Sequence, residues 1–98
     1  MPIETELVGD AAVIAINGSF DIASYDAFNQ AYKRYLGSVS YFKIDLACTH
    51  YMDSSALGML LLLKETAGDE VKIELINPSE EVAQVLQVAQ FNQLFTIR

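Results

Sequence analysis

The sequence has few of the residues on which disulfides, metal sites and nucleic-acid interfaces depend. It contains one cysteine and one histidine, so no disulfide can form within the chain, and we expect no metal site and no cofactor. Only 6 residues are basic against 13 acidic ones. The net charge of −7 argues against nucleic acid and anionic membrane surfaces as partners, since both attract clustered Lys and Arg. A basic protein surface fits this charge better.

The chain also lacks a long apolar run. The longest, from Ala56 to Leu63, has eight residues, whereas a membrane span needs roughly 20. The N-terminus is acidic, with Glu4 and Glu6, and does not resemble a signal peptide. We therefore expect a cytoplasmic protein without a membrane span. Cys48 is expected to be a packed structural thiol, because no basic residue lies beside it in the sequence to activate it for redox chemistry.

Apolar residues, in contrast, are plentiful. They make up 52% of the 98 residues and include five Phe and five Tyr, which is enough for a hydrophobic core. No linker, repeat or low-complexity segment interrupts the chain. The sequence therefore predicts one small domain that spans residues 1–98.

Alternation of apolar and polar residues predicts three strands, and the run Ala11 to Ile16, which is apolar on both sides, predicts an interior strand. A terminal stub follows at the end of the chain. Gly9-Asp10 between the first two strands predicts a β-hairpin. The segments Asn17-Gly18 and Ala47 to Met52 are expected to be a turn and a loop. The strands are Ile3 to Leu7, Ala11 to Ile16, Phe42 to Leu46 and Val71 to Leu75, and the stub is Thr96-Ile97.

Helical spacing predicts three helices and a last short one, Phe91 to Phe95. The first helix runs from Ser24 to Leu36 and the second from Ser54 to Ala67. The third begins at Asn77-Pro78-Ser79-Glu80, with Asn77 as the N-cap and Pro78 in the first position. The first helix carries one aromatic stripe that is expected in the core: Tyr25, Phe28, Tyr32 and Tyr35.

Strands and helices alternate after the hairpin, in the order β-β-α-β-α-β-α. This order predicts an α/β fold with a small, mixed, mostly parallel sheet of four to five strands. An N-terminal β-hairpin and three to four helices complete the expected fold.

The segment Met52-Asp53-Ser54-Ser55-Ala56-Leu57-Gly58 begins the second helix. Asp53 can cap the free N–H groups of this helix. Ser54 lies in its first turn, where the helix dipole would stabilise an added phosphate group. The alternative is that Asp53, Ser54 and Ser55 are cap and turn residues only.

A helical wheel divides the second helix into two faces. The face that is expected to be buried consists of Ala56, Met59, Leu60, Leu63 and Ala67. Ser54, Gly58 and Leu61 share a stripe opposite the buried face, and Leu57 and Leu62 flank that stripe. A glycine within a helix costs roughly 1 kcal/mol relative to alanine. Gly58 therefore indicates either close approach by a partner or tight packing inside the protein, and the leucines would form an apolar docking surface.

Asp21 follows the second strand and its Asn17-Gly18 turn. In a parallel sheet this turn can lie near the ends of other strands, where sites gather. We therefore expect Asp21 to be a neighbour of Ser54, with a solvated turn aspartate as the alternative.

These residues together resemble the anti-sigma factor antagonists, bacterial STAS-domain proteins of the sporulation-antagonist type. Met52 to Gly58 is similar to the family's apolar-Asp-Ser-Ser-Gly-Leu-Gly signature, with Ala56 where glycine is usual. Ile16-Asn17-Gly18-Ser19-Phe20-Asp21 is similar to a second family feature, an apolar-Gly-x-apolar-Asp turn before the first helix, with one residue to spare. The resemblance covers essentially the whole chain and implies the STAS fold.

The resemblance implies that Ser54 is the phosphorylated residue and that Asp21 lies near it. It also implies that the unphosphorylated protein binds an anti-sigma factor and so releases a sigma factor in transcription regulation. The expected partners are that anti-sigma factor, which in the family is often itself the serine kinase, and a PP2C-type phosphatase. The protein is expected to be monomeric when free and to catalyse nothing.

Two other functions are consistent with the residues. One is a STAS scaffold or ligand-binding module that works without phosphorylation. The other is a small serine hydrolase with Ser54 as nucleophile, His50 as base and Asp21 or Asp53 as orienting group. The absence of a Gly-x-Ser-x-Gly motif disfavours the hydrolase.

Overall fold

A computed structural model describes residues 2–98. Within them, seven strands and three α-helices follow one another. The strands are β1 (Ile3–Val8), β2 (Ala11–Ile16), β3 (Gly18–Phe20), β4 (Tyr41–Asp45), β5 (Thr49–Met52), β6 (Lys72–Ile76) and β7 (Thr96–Ile97). The helices are α1 (Tyr25–Lys33), α2 (Ser54–Ala67) and α3 (Glu80–Val88), with 3-10 turns at Ile22–Ser24 and Phe91–Gln93.

Five strands form one sheet in the order β1-β2-β4-β6-β7. β1 is antiparallel to β2 and makes the predicted hairpin, with Ile3 opposite Ile16. The other neighbours in the sheet are parallel, because a helix connects each strand to the next. The predicted mixed, mostly parallel α/β fold is therefore confirmed.

β3 and β5 differ from the prediction, which had a turn and a loop in their places. They pair with each other in a separate parallel sheet. The Gly18 N–H donates to the Cys48 carbonyl at 2.8 Å, and the Thr49 hydroxyl donates to the Ile16 carbonyl at 2.7 Å. Both strands are too short to show alternation. Their hydrogen-bond partners lie some 30 residues away in the chain, so no local pattern indicates them.

The hydrophobic core lies between the five-stranded sheet and the helices. Alternate residues of the central strands, such as Ile14, Ile44 and Leu75, are fully buried on one face of the sheet. They belong to the same cluster as the buried side chains of the helices, among them Phe28, Leu60 and Leu86. The fold therefore has two layers, with the helices on one side. Within residues 2–98 no helix is both long and apolar enough to cross a bilayer.

α2 begins at Ser54 and ends at Ala67, as predicted. Its termini depend on local chemistry, with Asp53 as the N-cap and Gly68 at φ 88° directly after the last residue. Of the five residues that the helical wheel places on the buried face, Ala56, Met59, Leu60 and Leu63 are buried and Ala67 is half-buried.

α1 is shorter than the predicted helix from Ser24 to Leu36. Its N-terminal end is a separate 3-10 turn. At its C-terminal end the Tyr35 N–H donates to the Tyr32 carbonyl, three residues back rather than the four of an α-helix. Phe28 and Tyr32 are buried as expected, whereas Tyr25 is exposed and Tyr35 is half-buried.

The predicted start of α3 at Asn77 is wrong. The N-cap is Ser79, whose Oγ accepts a hydrogen bond from the Val82 N–H at 3.3 Å. Asn77 has φ 58°, and its Nδ2 donates to Asp45 Oδ1 at 3.3 Å. The side chain of Asn77 therefore binds Asp45 at the end of β4 and does not cap the helix. The N-cap lies two residues later than predicted, at Ser79.

Candidate functional site

The ends of β3 and β5 bring two aspartates side by side. Phe20 is paired with Met52 in this small parallel sheet, and the next residues are Asp21 and Asp53. Because paired strands lie about 4.8 Å apart, the backbones of the two aspartates are neighbours. Each aspartate then begins a helical segment, so the site is an edge at which two helical N-termini meet.

Asp53 is the N-cap of α2. Its Oδ1 accepts hydrogen bonds from the Ser55 N–H at 3.0 Å and the Ala56 N–H at 3.3 Å. Its backbone is extended, as an N-cap requires. The carboxylate satisfies two otherwise free donors and also interacts favourably with the helix dipole. This contact accounts for the aspartate of the Asp-Ser-Ser motif as a structural residue.

Ser54 is the first residue of α2 and is exposed. Its hydroxyl makes no hydrogen bond to any of residues 2–98, in contrast to the Asp53 carboxylate beside it. Ser55, one residue further, is half-buried. Ser54 is thus the more accessible of the two hydroxyls, and a group attached to its oxygen would enter solvent at the positive end of the helix dipole.

Asp21 has a structural contact of its own. Its Oδ1 accepts from the Ala23 N–H at 3.0 Å and caps the 3-10 turn before α1. The Ser24 hydroxyl in that turn donates to the Ser19 carbonyl at 3.2 Å. Asp21 therefore lies at the expected edge, with its carboxylate directed to its own turn rather than bonded to Ser54.

The face of α2 that runs from Ser54 toward the C-terminus of the helix is accessible to solvent. Gly58 and Leu61 are exposed, the latter by 41%, while Leu57 and Leu62 are half-buried beside them. A methyl group on Gly58 would meet no atom within 4 Å. Tight packing inside the protein is therefore not the reason for this glycine.

A groove between α2 and α3 extends this apolar surface. It has a volume of about 410 Å³, and its apolar lining is formed by Leu57 on α2 and by Val85, Val88 and Ala89 on α3. Val88 is 80% exposed. Val85 and Ala89 are half-buried, whereas Val88 between them is exposed. The i, i+3, i+4 spacing of Val85, Val88 and Ala89 places all three on one helix face, and this spacing is visible in the sequence.

The charge around the groove and the helix starts is negative. Glu81 lies on the rim of the groove, and Glu80 and Glu81 occupy the first turn of α3. Asp53 and Asp21 lie at the other helix starts. An apolar surface with acidic borders fits a partner segment that is apolar and basic.

The arrangement does not assemble a catalytic triad. His50 is exposed and lines a separate cleft of about 400 Å³ with Thr49, Ser79 and the first turn of α3. Within residues 2–98 the Ser54 hydroxyl is hydrogen-bonded neither to His50 nor to an aspartate. The candidate base and the candidate nucleophile therefore do not meet.

Two further expectations concern Cys48 and metal ligands. Cys48 is exposed in the connection between β4 and β5, so the prediction of a packed thiol is wrong. The cause is β5, since its pairing with β3 uses the Cys48 carbonyl and leaves the side chain outside the core. Among residues 2–98 no group of three or more His, Cys, Asp or Glu side chains is arranged for a metal ion.

Comparison with known proteins gives a consistent result. A family model described as the STAS domain matches residues 2–98. A STAS-domain containing protein of Pseudomonas aeruginosa (strain UCBPP-PA14) is 43% identical over 90 residues, which cover 91% of this chain and 89% of that protein.

Solved structures show the same fold at low sequence identity. An anti-sigma factor antagonist from Mycobacterium paratuberculosis superposes with a TM-score of 0.87 at 19% identity, over 97% of this chain and 82% of the other. The Bacillus cell fate determinant SpoIIAA in its phosphorylated form superposes with a TM-score of 0.71 at 22% identity, over 98% of this chain and 90% of the other.

Proposed function

The chain belongs to the STAS-domain family, and from that premise we propose that it is an anti-sigma factor antagonist controlled by phosphorylation of Ser54. Unphosphorylated, it binds an anti-sigma factor and so releases a sigma factor; phosphorylated, it does not bind. The observation that carries the proposal is the exposed, unbonded hydroxyl of Ser54 at the start of α2, directly above an apolar surface.

The docking surface is proposed to consist of Leu57, Gly58, Leu61 and Leu62 together with the α2–α3 groove. Exposed apolar side chains that are grouped in this way are typical of protein interaction sites. Leu61 and Val88 supply the most accessible apolar atoms, and Gly58 allows close backbone approach. The acidic border supports a basic partner surface, in agreement with the net charge of −7.

The proposed control is electrostatic. A phosphate on Ser54 adds about −1.5 to −2 charges next to Asp53, and Asp21 lies at the same edge. The helix dipole stabilises these charges, so the fold need not change. A partner surface that docks on α2 would have to desolvate the dianion or lose contact with the neighbouring leucines, and both outcomes weaken binding.

The proposal includes the enzymes that set the phosphorylation state. A serine kinase, which the anti-sigma factor itself could supply, phosphorylates Ser54, and a PP2C-type phosphatase removes the phosphate. The protein itself catalyses no reaction in this scheme. It acts in the cytoplasm, where such partners and the transcription machinery are located.

The test compares binding by four forms of the purified protein: wild type, wild type phosphorylated stoichiometrically on Ser54, Ser54→Ala and Ser55→Ala. A pull-down from cells with Ser54→Ala identifies the anti-sigma partner, and titration with that purified partner measures affinity. Ser54→Ala and Ser55→Ala are expected to bind like unphosphorylated wild type, because neither serine side chain is required for the fold. Ser55→Ala is the matched control, one residue away on the same helix turn.

Phosphorylation of Ser54 is expected to weaken the binding at least tenfold, a difference of about 1.4 kcal/mol. Equal affinity of the phosphorylated and unphosphorylated forms would contradict the phosphorylation control and favour a STAS scaffold that works without it. A peptide that contains Ser54 and never carries a phosphate group in native cells would have the same consequence.

A further inference from the structure

β1 forms one end of the five-stranded sheet, and its outer edge pairs with no other strand of residues 2–98. In an antiparallel pair, alternate residues direct both backbone N–H and C=O toward the partner strand, and the residues between them direct both away. The Pro2 carbonyl accepts from the Asn17 N–H at 2.7 Å, so Pro2 faces β2. Counting from Pro2, the outward residues are Ile3, Thr5 and Leu7. Their backbone groups are available to a further strand.

A groove runs along this edge, between β1 and one side of α1. It has a volume of about 500 Å³, and its strand wall is formed by residues 2–5. The helix wall is formed by Ala27, Gln30, Ala31 and Arg34, whose i, i+3, i+4, i+7 spacing places them on one side of α1. The groove therefore has room for side chains of an added strand on the side of the sheet that carries the helices.

The side of β1 away from the helices is acidic at the edge. Glu4 and Glu6 are both exposed there, and the residues opposite them on β2 are uncharged. The next charges on the same register levels are Asp45 and Lys43 of β4, two strands from β1. Because two strand spacings are about 9.6 Å, charges at that distance are largely screened at physiological ionic strength. The two glutamates therefore determine the charge at this edge.

The helix side of the same edge is apolar. Ile3 packs against the core cluster, and Leu7, which lies opposite the buried Ala12, is 58% exposed. Arg34 borders the groove on this side and would repel basic side chains. The two sides of β1 therefore favour different partners, with basic side chains beside the glutamates and apolar side chains beside α1.

We propose that the outer edge of β1 binds an extended, basic segment of a partner protein as a sixth, antiparallel strand of the sheet. Lys or Arg side chains of this segment lie opposite Glu4 and Glu6, and apolar side chains lie opposite Ile3, Thr5 and Leu7. Main-chain hydrogen bonds to the three outward residues supply affinity, and the alternating side chains supply specificity.

A second copy of this chain is a poor occupant of the edge. Two β1 strands that pair antiparallel about Thr5 place Glu4 of each copy opposite Glu6 of the other. Pairing about either glutamate places that residue opposite itself. Like charges directly opposite each other destabilise a strand pair, and charged side chains on an edge strand commonly prevent self-association. The acidic pair therefore favours a basic partner over a second copy.

The first test titrates a short peptide with blocked ends, in which Lys and Val alternate, into the full chain labelled with ¹⁵N. We expect a dissociation constant below about 1 mM from the amide chemical shifts. The Thr5 and Leu7 N–H groups should exchange more slowly with solvent when the peptide is bound, whereas those of Glu6 and Val8, which face β2, should change little. A peptide of the same composition with its Lys residues grouped at one end should bind about fivefold more weakly or worse.

Two N-methylated peptides test the backbone hydrogen bonds. In the proposed antiparallel pairing the N–H groups of Val residues opposite Thr5 and Leu7 point to β1, and those of Lys residues point away. Methylation of a central Val nitrogen should therefore weaken binding by about fivefold or more, and methylation of a central Lys nitrogen by less than about twofold. Equal losses, or a larger loss at Lys, overturn the proposed strand.

The acidic pair is tested by the double variant Glu4→Gln/Glu6→Gln. Glutamine keeps an acceptor for the hydrogen bond that Asn17 Nδ2 donates to Glu4 at 3.4 Å. The matched control is Glu65→Gln/Glu70→Gln, at exposed residues outside β1 and its groove. Both double variants change the net charge from −7 to −5. The first should bind the alternating peptide about threefold more weakly or worse, and the control should bind like wild type.

Circular dichroism checks that both double variants are folded. Equal weakening in the two would show that net charge alone attracts the peptide, and it overturns the proposal. An alternating peptide that does not bind at about 1 mM overturns it as well. So does protection of the Thr5 and Leu7 N–H groups that rises with protein concentration without peptide, because a second copy would then occupy the edge. The anti-sigma factor is absent from these experiments, so the proposed function stands or fails separately.

Discussion

Replacing Gly58 with alanine should stabilise the fold and weaken partner binding at the same time. Gly58 is in the interior of α2, is exposed, and has helical backbone geometry without a positive φ. An added methyl group meets no atom within 4 Å, so no steric cost opposes it. Alanine also restricts the unfolded chain more than glycine does.

The expected gain is about 0.5–1 kcal/mol in the free energy of unfolding, from the helix propensities of the two residues. For a domain of this size, such a gain raises the melting temperature by roughly 2–8 °C. Urea unfolding followed by circular dichroism measures the free energy, and a thermal scan measures the shift in melting temperature.

Gly37→Ala is the matched control. Gly37 is also exposed, and a Cβ there would also meet no atom within 4 Å, but its φ is 81°. An alanine in this left-handed region costs about 1 kcal/mol or more. The same chemical change should therefore stabilise the protein at position 58 and destabilise it at position 37. A loss of stability in Gly58→Ala would refute the reasoning that the protein itself does not need this glycine.

Binding supplies the second measurement on Gly58→Ala. If a partner backbone approaches this position, the methyl group enters the interface and weakens binding by about 1–3 kcal/mol, or roughly fivefold to 150-fold in the dissociation constant. Titration with the anti-sigma partner measures this effect. Unchanged affinity in a stabilised Gly58→Ala protein would show that the partner does not approach the helix here.

Two other predictions concern stability. Asp53→Ala removes the carboxylate that accepts from the Ser55 and Ala56 N–H groups and should lower the free energy of unfolding by about 1–2 kcal/mol. Asp53→Asn keeps a capping oxygen and should lower it by only a few tenths of a kcal/mol. Urea unfolding of both variants tests whether Asp53 acts as a cap. Burial raises the pKa of Tyr32 above 10.0. The Tyr32 hydroxyl therefore loses its proton at a lower pH in the unfolded chain than in the folded protein. Its contribution to the free energy of unfolding should be fully present below pH 10.0 and should decrease as the pH rises above that value. Urea unfolding as a function of pH measures this decrease, and Tyr32→Phe should lessen it.

The sequence alone determined the parts of the fold that depend on neighbouring residues. α2 has the predicted bounds because Asp53 and Gly68, one residue beyond each end, supply its termini. The hairpin follows from the alternation in β1, the apolar run of β2 and the Gly-Asp turn between them. The exposed stripe of Ser54, Gly58 and Leu61 follows from the helical repeat, which holds for any amphipathic helix.

The tertiary structure alone decided what depends on partners distant in the chain. β3 and β5 exist because each supplies the other's hydrogen bonds, and their pairing brings Asp21 beside Asp53 and leaves Cys48 exposed. Asn77 binds Asp45 of another strand, so α3 starts at Ser79.

The candidate binding surface also depends on the tertiary structure. The groove beside Ser54 needs Leu57 and Val88 from two helices. Local periodicity determines which side of an element is apolar. Packing determines which of those sides is covered and which remains free to bind.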